Sequence, residues 1–159
     1  MMRTRRKGSL KSRTEFRRRG TAAVEFAVLA PVLILVVLGT IDVGQFVNLG
    51  QIVSNASREG ARTASRDTTL TVSEVQSAVQ NYLATAFPAV PTSSWSTALQ
   101  VNVTDGYGNP ISGGDLTTIS SGGRISVQVV LTFDTVRWSR GFAGLDGRSL
   151  RAITVMRRE

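Results

Sequence analysis

Residues 17–41 read RRRGTAAVEFAVLAPVLILVVLGTI. From Ala22 to Ile41 the only ionisable residue is Glu25. A helix over that stretch, about 20 residues at 1.5 Å each, matches the ~30 Å hydrocarbon core of a bilayer. Pro31 and Gly39 bend such a helix rather than end it. Glu25 is the costly residue: an acid near the middle of a membrane helix costs about 2.5–3.5 kcal/mol on insertion scales, and less near the edge. An ordinary anchor has no reason to carry it. A partner that neutralises it is the expected explanation.

Charge is distributed to match. The chain has 159 residues and a net charge of +8, from 19 Lys or Arg against 11 Asp or Glu. Nine of the cations and only Glu15 among the acids lie in residues 1–20, so the whole excess belongs to the leader and the rest is neutral. A basic tail beside an apolar span is the cytoplasmic flank of the positive-inside rule. Nucleic-acid binding by the tail is the competing reading, but no aromatic-interleaved basic surface accompanies it.

The chain holds no cysteine and no histidine, and its only lysines are Lys7 and Lys11. Disulfides, Cys/His zinc sites, a Ser-His-Asp triad and a lysine Schiff base downstream of the leader are thereby excluded. No pair of acids is set for carboxylate catalysis. The expectation is a non-enzymatic chain without catalytic, metal or cofactor sites.

Residues 1–19 are polar and basic enough to be disordered. A cleaved secretory signal is disfavoured by the length of the apolar run, by Glu25 and by the lack of a small-x-small site after Ile41. A twin-arginine signal is disfavoured because Gly20-Thr21-Ala22 follows Arg18-Arg19 where bulky residues belong. Beyond Asp42, Val43, Phe46, Val47, Gly50, Val53, Ala56, Gly60 and Ala64 recur at helical spacing. Asp42, Gln45, Asn48, Gln51, Asn55, Arg58, Glu59 and Arg62 fill the other side, so one helix of roughly 45 residues is expected to continue from the span and pack against its own domain.

Ser73 is expected to open a second helix with Gln76 in the capping-box position, and Val75, Ala78, Val79, Tyr82, Leu83, Ala86 and Phe87 as its apolar face. Pro88 and Pro91 end it. The period then changes to two: Leu99, Val101 and Val103; Ile125, Val127, Val129, Leu131 and Phe133; and a last strand near Leu150–Met156 carrying Ala152, Ile153 and Val155. Asp105-Gly106 and Gly108-Asn109-Pro110 mark turns, and the Gly-rich stretch from Trp138 to Gly147, with Arg140 and Asp146, marks a loop. The predicted fold is α+β: a long N-terminal membrane-inserted helix packed against a small domain with a second helix and a 3–4-stranded antiparallel sheet. Its divisions are a leader at 1–20, a transmembrane segment at 21–41, an amphipathic extension at 42–66 and an extracytoplasmic domain at 67–159.

Several motifs have plain readings. Arg58, Glu59 and Arg62 suit a solvated helix face. The Asp105–Asn109 turn lacks the acidic density of a calcium loop. Asn55-Ala56-Ser57 fits the glycosylation pattern but sits in a helix. Trp95 and Trp138 suit core or membrane-interface positions better than a ligand stack.

Arg17-Arg18-Arg19-Gly20, then Thr21 to Val24, then Glu25-Phe26, resembles the processing site of type IV prepilin-like proteins, in the form used by the tight-adherence (Tad, Flp) branch. Pro31, Ile41-Asp42-Val43-Gly44, Ala56-Ser57-Arg58-Glu59-Gly60-Ala61-Arg62 and the Met156-Arg157-Arg158-Glu159 ending resemble the TadE-like minor pilins. The specific motifs span residues 17–66. The resemblance implies cleavage after Gly20 by a prepilin peptidase on the cytoplasmic face, with Thr21 as the new first residue. It also implies pairing of that residue's amine with Glu25 of a neighbouring subunit, and an amine with a reference pKa of about 7.7–8.0 is largely protonated at neutral pH. Thr21 stands where type IVa pilins carry an aromatic residue, which argues against N-methylation. Residues 21–159 exceed the short major Flp pilins, which argues for a minor pilin or pseudopilin; the related TadF and TadG classes stay open beside it.

The expected partners are prepilin peptidase, other pilin or pseudopilin subunits, the Tad assembly machinery and, through a single pass, the bacterial inner membrane, with the N-terminus inside; no nucleic acid is expected. The alternative is an uncleaved signal-anchor protein whose outer domain binds a cell-envelope partner. Membrane-tethered nucleic-acid binding by the leader is a third reading.

Overall fold

A computed structural model describes residues 11–138 and 144–159, with side chains from Thr21 onward. The first ten residues of the leader and Arg140 lie outside the described residues. Helix α1 runs Lys11–Ser65, 55 residues, through Pro31 without ending. At 1.5 Å per residue it is about 80 Å long. It starts within the leader, where disorder was expected; Lys and Arg are good helix formers, and a single Gly20 costs only ~1 kcal/mol in a helix interior. Helix α2 spans Val72–Ala86, and short helical turns α3 and α4 span Trp95–Ala98 and Phe133–Val136. Strands β1 (Leu99–Asp105), β2 (Arg124–Thr132) and β3 (Ser149–Arg157) form an antiparallel sheet in the order β1-β2-β3. The α+β expectation holds, with three strands.

One face of the sheet packs on α1. Ile125, Val127, Val129 and Leu131 of β2 are fully buried, as their alternation predicts. Burying a Val, Leu or Ile side chain stabilises by about 1.5–3 kcal/mol. Phe133 is buried too, but as the first residue of α4 rather than in the strand. On α1 the buried seam is Leu49, Val53, Ala56, Ser57, Gly60, Ala61 and Ala64. Val43 and Val47, expected on the packed side, are 51% and 55% exposed, whereas Asp42, expected on the polar side, is 3% exposed. Three- and four-residue spacing admits both phases, and the sheet selects one of them.

Small residues set the closeness of the packing. A Cβ on Gly60 would lie 2.5 Å from a Val79 methyl and 3.1 Å from one of Val127. Ser57 Oγ and Thr154 Oγ1 share a 2.6 Å hydrogen bond between α1 and β3. Helix α2 covers the remaining core with Val75, Val79 and Leu83, all fully buried. Its start differs from expectation. Thr71 is the N-cap, its hydroxyl accepting from Glu74 N, while Glu74 accepts from Leu70 N and from the Thr71 hydroxyl. Thr71-x-x-Glu74 is thus the capping pair, two residues upstream of Ser73 and Gln76. Gln76 instead donates to Val101 O at 3.3 Å.

The chain's end locks the end of α1. Arg158 is 6% exposed and donates to the carbonyls of Ala64, Asp67 and Thr69, while Glu159 N donates to Ser65 O. Carbonyls orphaned at a helix C-terminus are satisfied, and a cation there is favoured by the helix dipole. Gly122, at φ +81°, bends the chain so that its N–H reaches Arg158 O. At the C-terminal end of β1, the Asp105 carboxylate accepts from the backbone of Tyr107 and Asn109 and from the Asn109 amide. Its oxygens serve its own turn. The bond from Asn109 N, outweighing desolvation and aided by Tyr107, holds its carboxyl below the usual range. Asp115 is held low in the same way, first by the Thr117 side chain and backbone, with a smaller contribution from the charge of Arg158.

Three outcomes follow for the full chain in detergent. Arg158→Met leaves buried carbonyls unsatisfied and lowers unfolding stability by about 1–3 kcal/mol in a denaturant titration. Gly60→Val overpacks the seam and costs about 1–3 kcal/mol in the same assay. Because the folded-state pKa of Asp105 is depressed, its contribution is present above the unfolded pKa and lost as pH falls through the folded one. Asp105→Asn, which keeps the turn acceptor, should flatten that acid-side loss in thermal melts at graded pH.

Candidate functional site

The residues singled out by sequence lie on the N-terminal part of α1. Arg17, Arg18, Arg19 and Gly20 fall inside the continuous helix. Thr21, Glu25 and Phe26 follow on its exposed surface, Phe26 at 66% exposure. Four residues separate Gly20 from Glu25, so the carboxylate lies about 7 Å along the axis from the glycine at the helical rise. Among the described residues Glu25 has no hydrogen bond or ion pair.

Around Glu25 the helix is bare. Val24, Val28, Leu29, Val32, Leu33, Ile34, Leu35, Val36 and Val37 are each 55–69% exposed. Within Thr21–Ser65 lies a stretch long and apolar enough to cross a membrane, and none of it is buried by the rest of the protein. A core helix of a water-soluble domain has its apolar face covered. Nine large aliphatic side chains without cover need another apolar medium, a bilayer or neighbouring helices.

The domain begins where the bare segment ends. Phe46 meets the Phe133 ring edge-on, with centroids 5.2 Å apart and planes at 70°. The Arg137 guanidinium lies 5.9 Å from the Phe133 centroid and pairs with Asp134 at 3.2 Å and with Asp146. Asp42 is buried at this junction. Sequence reading placed Asp42 on the solvated side, although a signal was present. At 100° per residue it lies only about 20° from Leu49 and in line with Gly60, whereas Val47 is about 140° away. The bulk hydrophobicity of Val43 and Val47 masked that phase.

Other sequence candidates fall apart in space. Trp95 is buried and packs near Phe87, with centroids 6.3 Å apart. Trp138 is 77% exposed. Arg58 and Arg62 are exposed and Glu59 half-buried, as expected of a helix flank. Among the described residues no group of three or more Asp or Glu side chains is placed to hold a metal ion.

No curated protein and no solved structure matches the chain. The model of one family, described as TadE-like protein, matches residues 20–62. That match starts at Gly20, takes in the bare apolar segment and Glu25, and ends in the Gly60–Arg62 stretch of the packed seam. Over residues 20–62, which carry the candidate site, the chain is therefore similar to TadE-like proteins.

Proposed function

We propose that the chain is a minor pilin or pseudopilin of a Tad-type adhesion pilus, held in the inner membrane by residues 21–41 with its basic leader inside and its α+β domain outside. The TadE-like match connects it with Tad pilus systems. The observation that carries the finer reading is Glu25: an unpaired carboxylate among the described residues, on a helix surface whose apolar neighbours are left uncovered. In a bilayer or a helical bundle such a group is retained where a cation from another chain meets it. Cleavage after Gly20 would create that cation as the α-amine of Thr21. Amine and carboxylate from adjacent subunits would then set the axial offset between helices. Removing one partner of such a pair leaves the other uncompensated, at a cost of about 3–5 kcal/mol when it is buried. The role is structural, with prepilin peptidase, other pilin subunits and the Tad assembly machinery as partners.

One observation favours the alternative of an uncleaved signal anchor: α1 runs unbroken through Gly20. A protease needs an extended strand at the bond it cuts, so the helix must open there. Glycine eases that opening, being worse than alanine in a helix by about 0.5–1 kcal/mol.

Co-expression with a cognate prepilin peptidase separates the two. Intact-mass and N-terminal sequencing should show a product starting at Thr21, absent with Gly20→Ala; a product retaining residues 1–20 beside an active peptidase favours the anchor. Glu25→Gln should be processed normally yet be recovered with partner subunits at least tenfold less, measured by crosslinking in membranes.

A further inference from the structure

We propose that α4, at the start of the connection from β2 to β3, lies at the bilayer surface and that Trp138 inserts its indole among the lipid headgroups. The proposal depends on the membrane-span reading of α1. Contacts along α1 give the height of each part of the sheet. Gly60 faces Val127, Ser57 bonds Thr154, Gly50 lies against Leu150, and Phe46 meets Phe133 edge-on. The β2–β3 hairpin therefore points down the helix toward the span, and Phe133 opens its connecting segment at the level of Phe46. Phe46 is five residues past Ile41, about 7.5 Å along the axis. The interfacial layer on each side of the hydrocarbon core is about 5–8 Å deep.

Burial of Asp42, one residue beyond Ile41, shows independently that the protein covers α1 down to the edge of the span. Trp138 follows α4 directly, two residues past Val136, and is 77% exposed. Among the described residues, Arg137 beside it pairs with Asp134 and Asp146, and Gly147 N donates to Asp134. Trp138 itself presents a bare amphipathic ring. Indole with its N–H is the side chain that partitions to the membrane–water interface. Headgroups are the occupant that an exposed indole at this height selects.

The test uses the full chain reconstituted at high lipid-to-protein ratio in phosphatidylcholine vesicles. Some vesicles carry lipid brominated near the headgroup end of the acyl chains, others lipid brominated near the chain termini. Subtracting the emission of Trp138→Phe from that of wild type isolates Trp138 without touching the core, where Trp95 remains. The Trp138 signal should be at least halved by shallow bromines and changed less by deep ones. A Leu33→Trp reporter in the Trp138→Phe background reads the span itself and should be quenched most by deep bromines. A quenched Leu33→Trp reporter beside an unquenched Trp138 overturns the proposal and leaves the span standing. Failure of both removes the span reading and the proposal with it. Quenching that vanishes on dilution with lipid, where a blue shift persists only in crowded vesicles, assigns Trp138 to a neighbouring protein and overturns the proposal too.

Discussion

Everything in this molecule hangs on one helix packing along one seam. Leu49, Val53, Ala56, Gly60 and Ala64 give α1 a narrow, small-residue face on which the sheet lies directly. Without that face the inner side of β2 would stand in water, and α2 would have little to close against. Close approach is what makes the contact worthwhile, because dispersion falls off within about an ångström of gap. A methyl group at Gly60 already collides with Val79. The domain and the helix are therefore one folding unit, and the core cannot be separated from the helix that carries the bare apolar stretch.

A rigid consequence follows. No linker lies between the bare apolar stretch and the packed seam; the same hydrogen-bonded helix contains both. The height of the domain above the span is then a property of the fold, fixed by which residues of α1 the sheet occupies. Two acids on that helix meet different conditions. Asp42 is covered where the domain begins, while Glu25 is left bare on the segment with no domain around it. One is settled within the chain. The other has no side-chain partner among the described residues.

Much of the architecture was readable before any coordinates. The alternation Ile125, Val127, Val129, Leu131 has a single solution, because the residues between them are polar or face Gln and Arg neighbours. The α2 face Val75, Val79 and Leu83 was equally legible. Strand β3 was not: Leu150, Ala152 and Met156 point inward while Ile153 and Val155 are 58% and 55% exposed. Both of its faces carry apolar residues, so period two identifies a strand there without saying which side is wet. The capping pair of α2 was misplaced by two residues because Thr71 and Ser73 are both good caps, and Glu74 decides between them only once Leu70 N is in reach. Arg158 entered the sequence reading only through the Met156-Arg157-Arg158-Glu159 ending, and nothing there signalled its burial. An arginine there is ordinarily solvated, and its burial depends on carbonyls 89 and 94 residues earlier in the chain.

Local chemistry and long-range geometry divide the molecule between them. By itself the sequence determined the apolar run, the acid placed within it, the basic flank, and the change from helical to strand periodicity. Those are properties of residue type and spacing, and they need no neighbour to exist. Only the tertiary structure decided the phase of the seam, the burial of Asp42, the capping of α1 by Arg158, and the exposure of Trp138 just beyond α4. Each of these depends on which surface a distant segment occupies, and near-equivalent phases of one helix differ in energy only after that segment has packed.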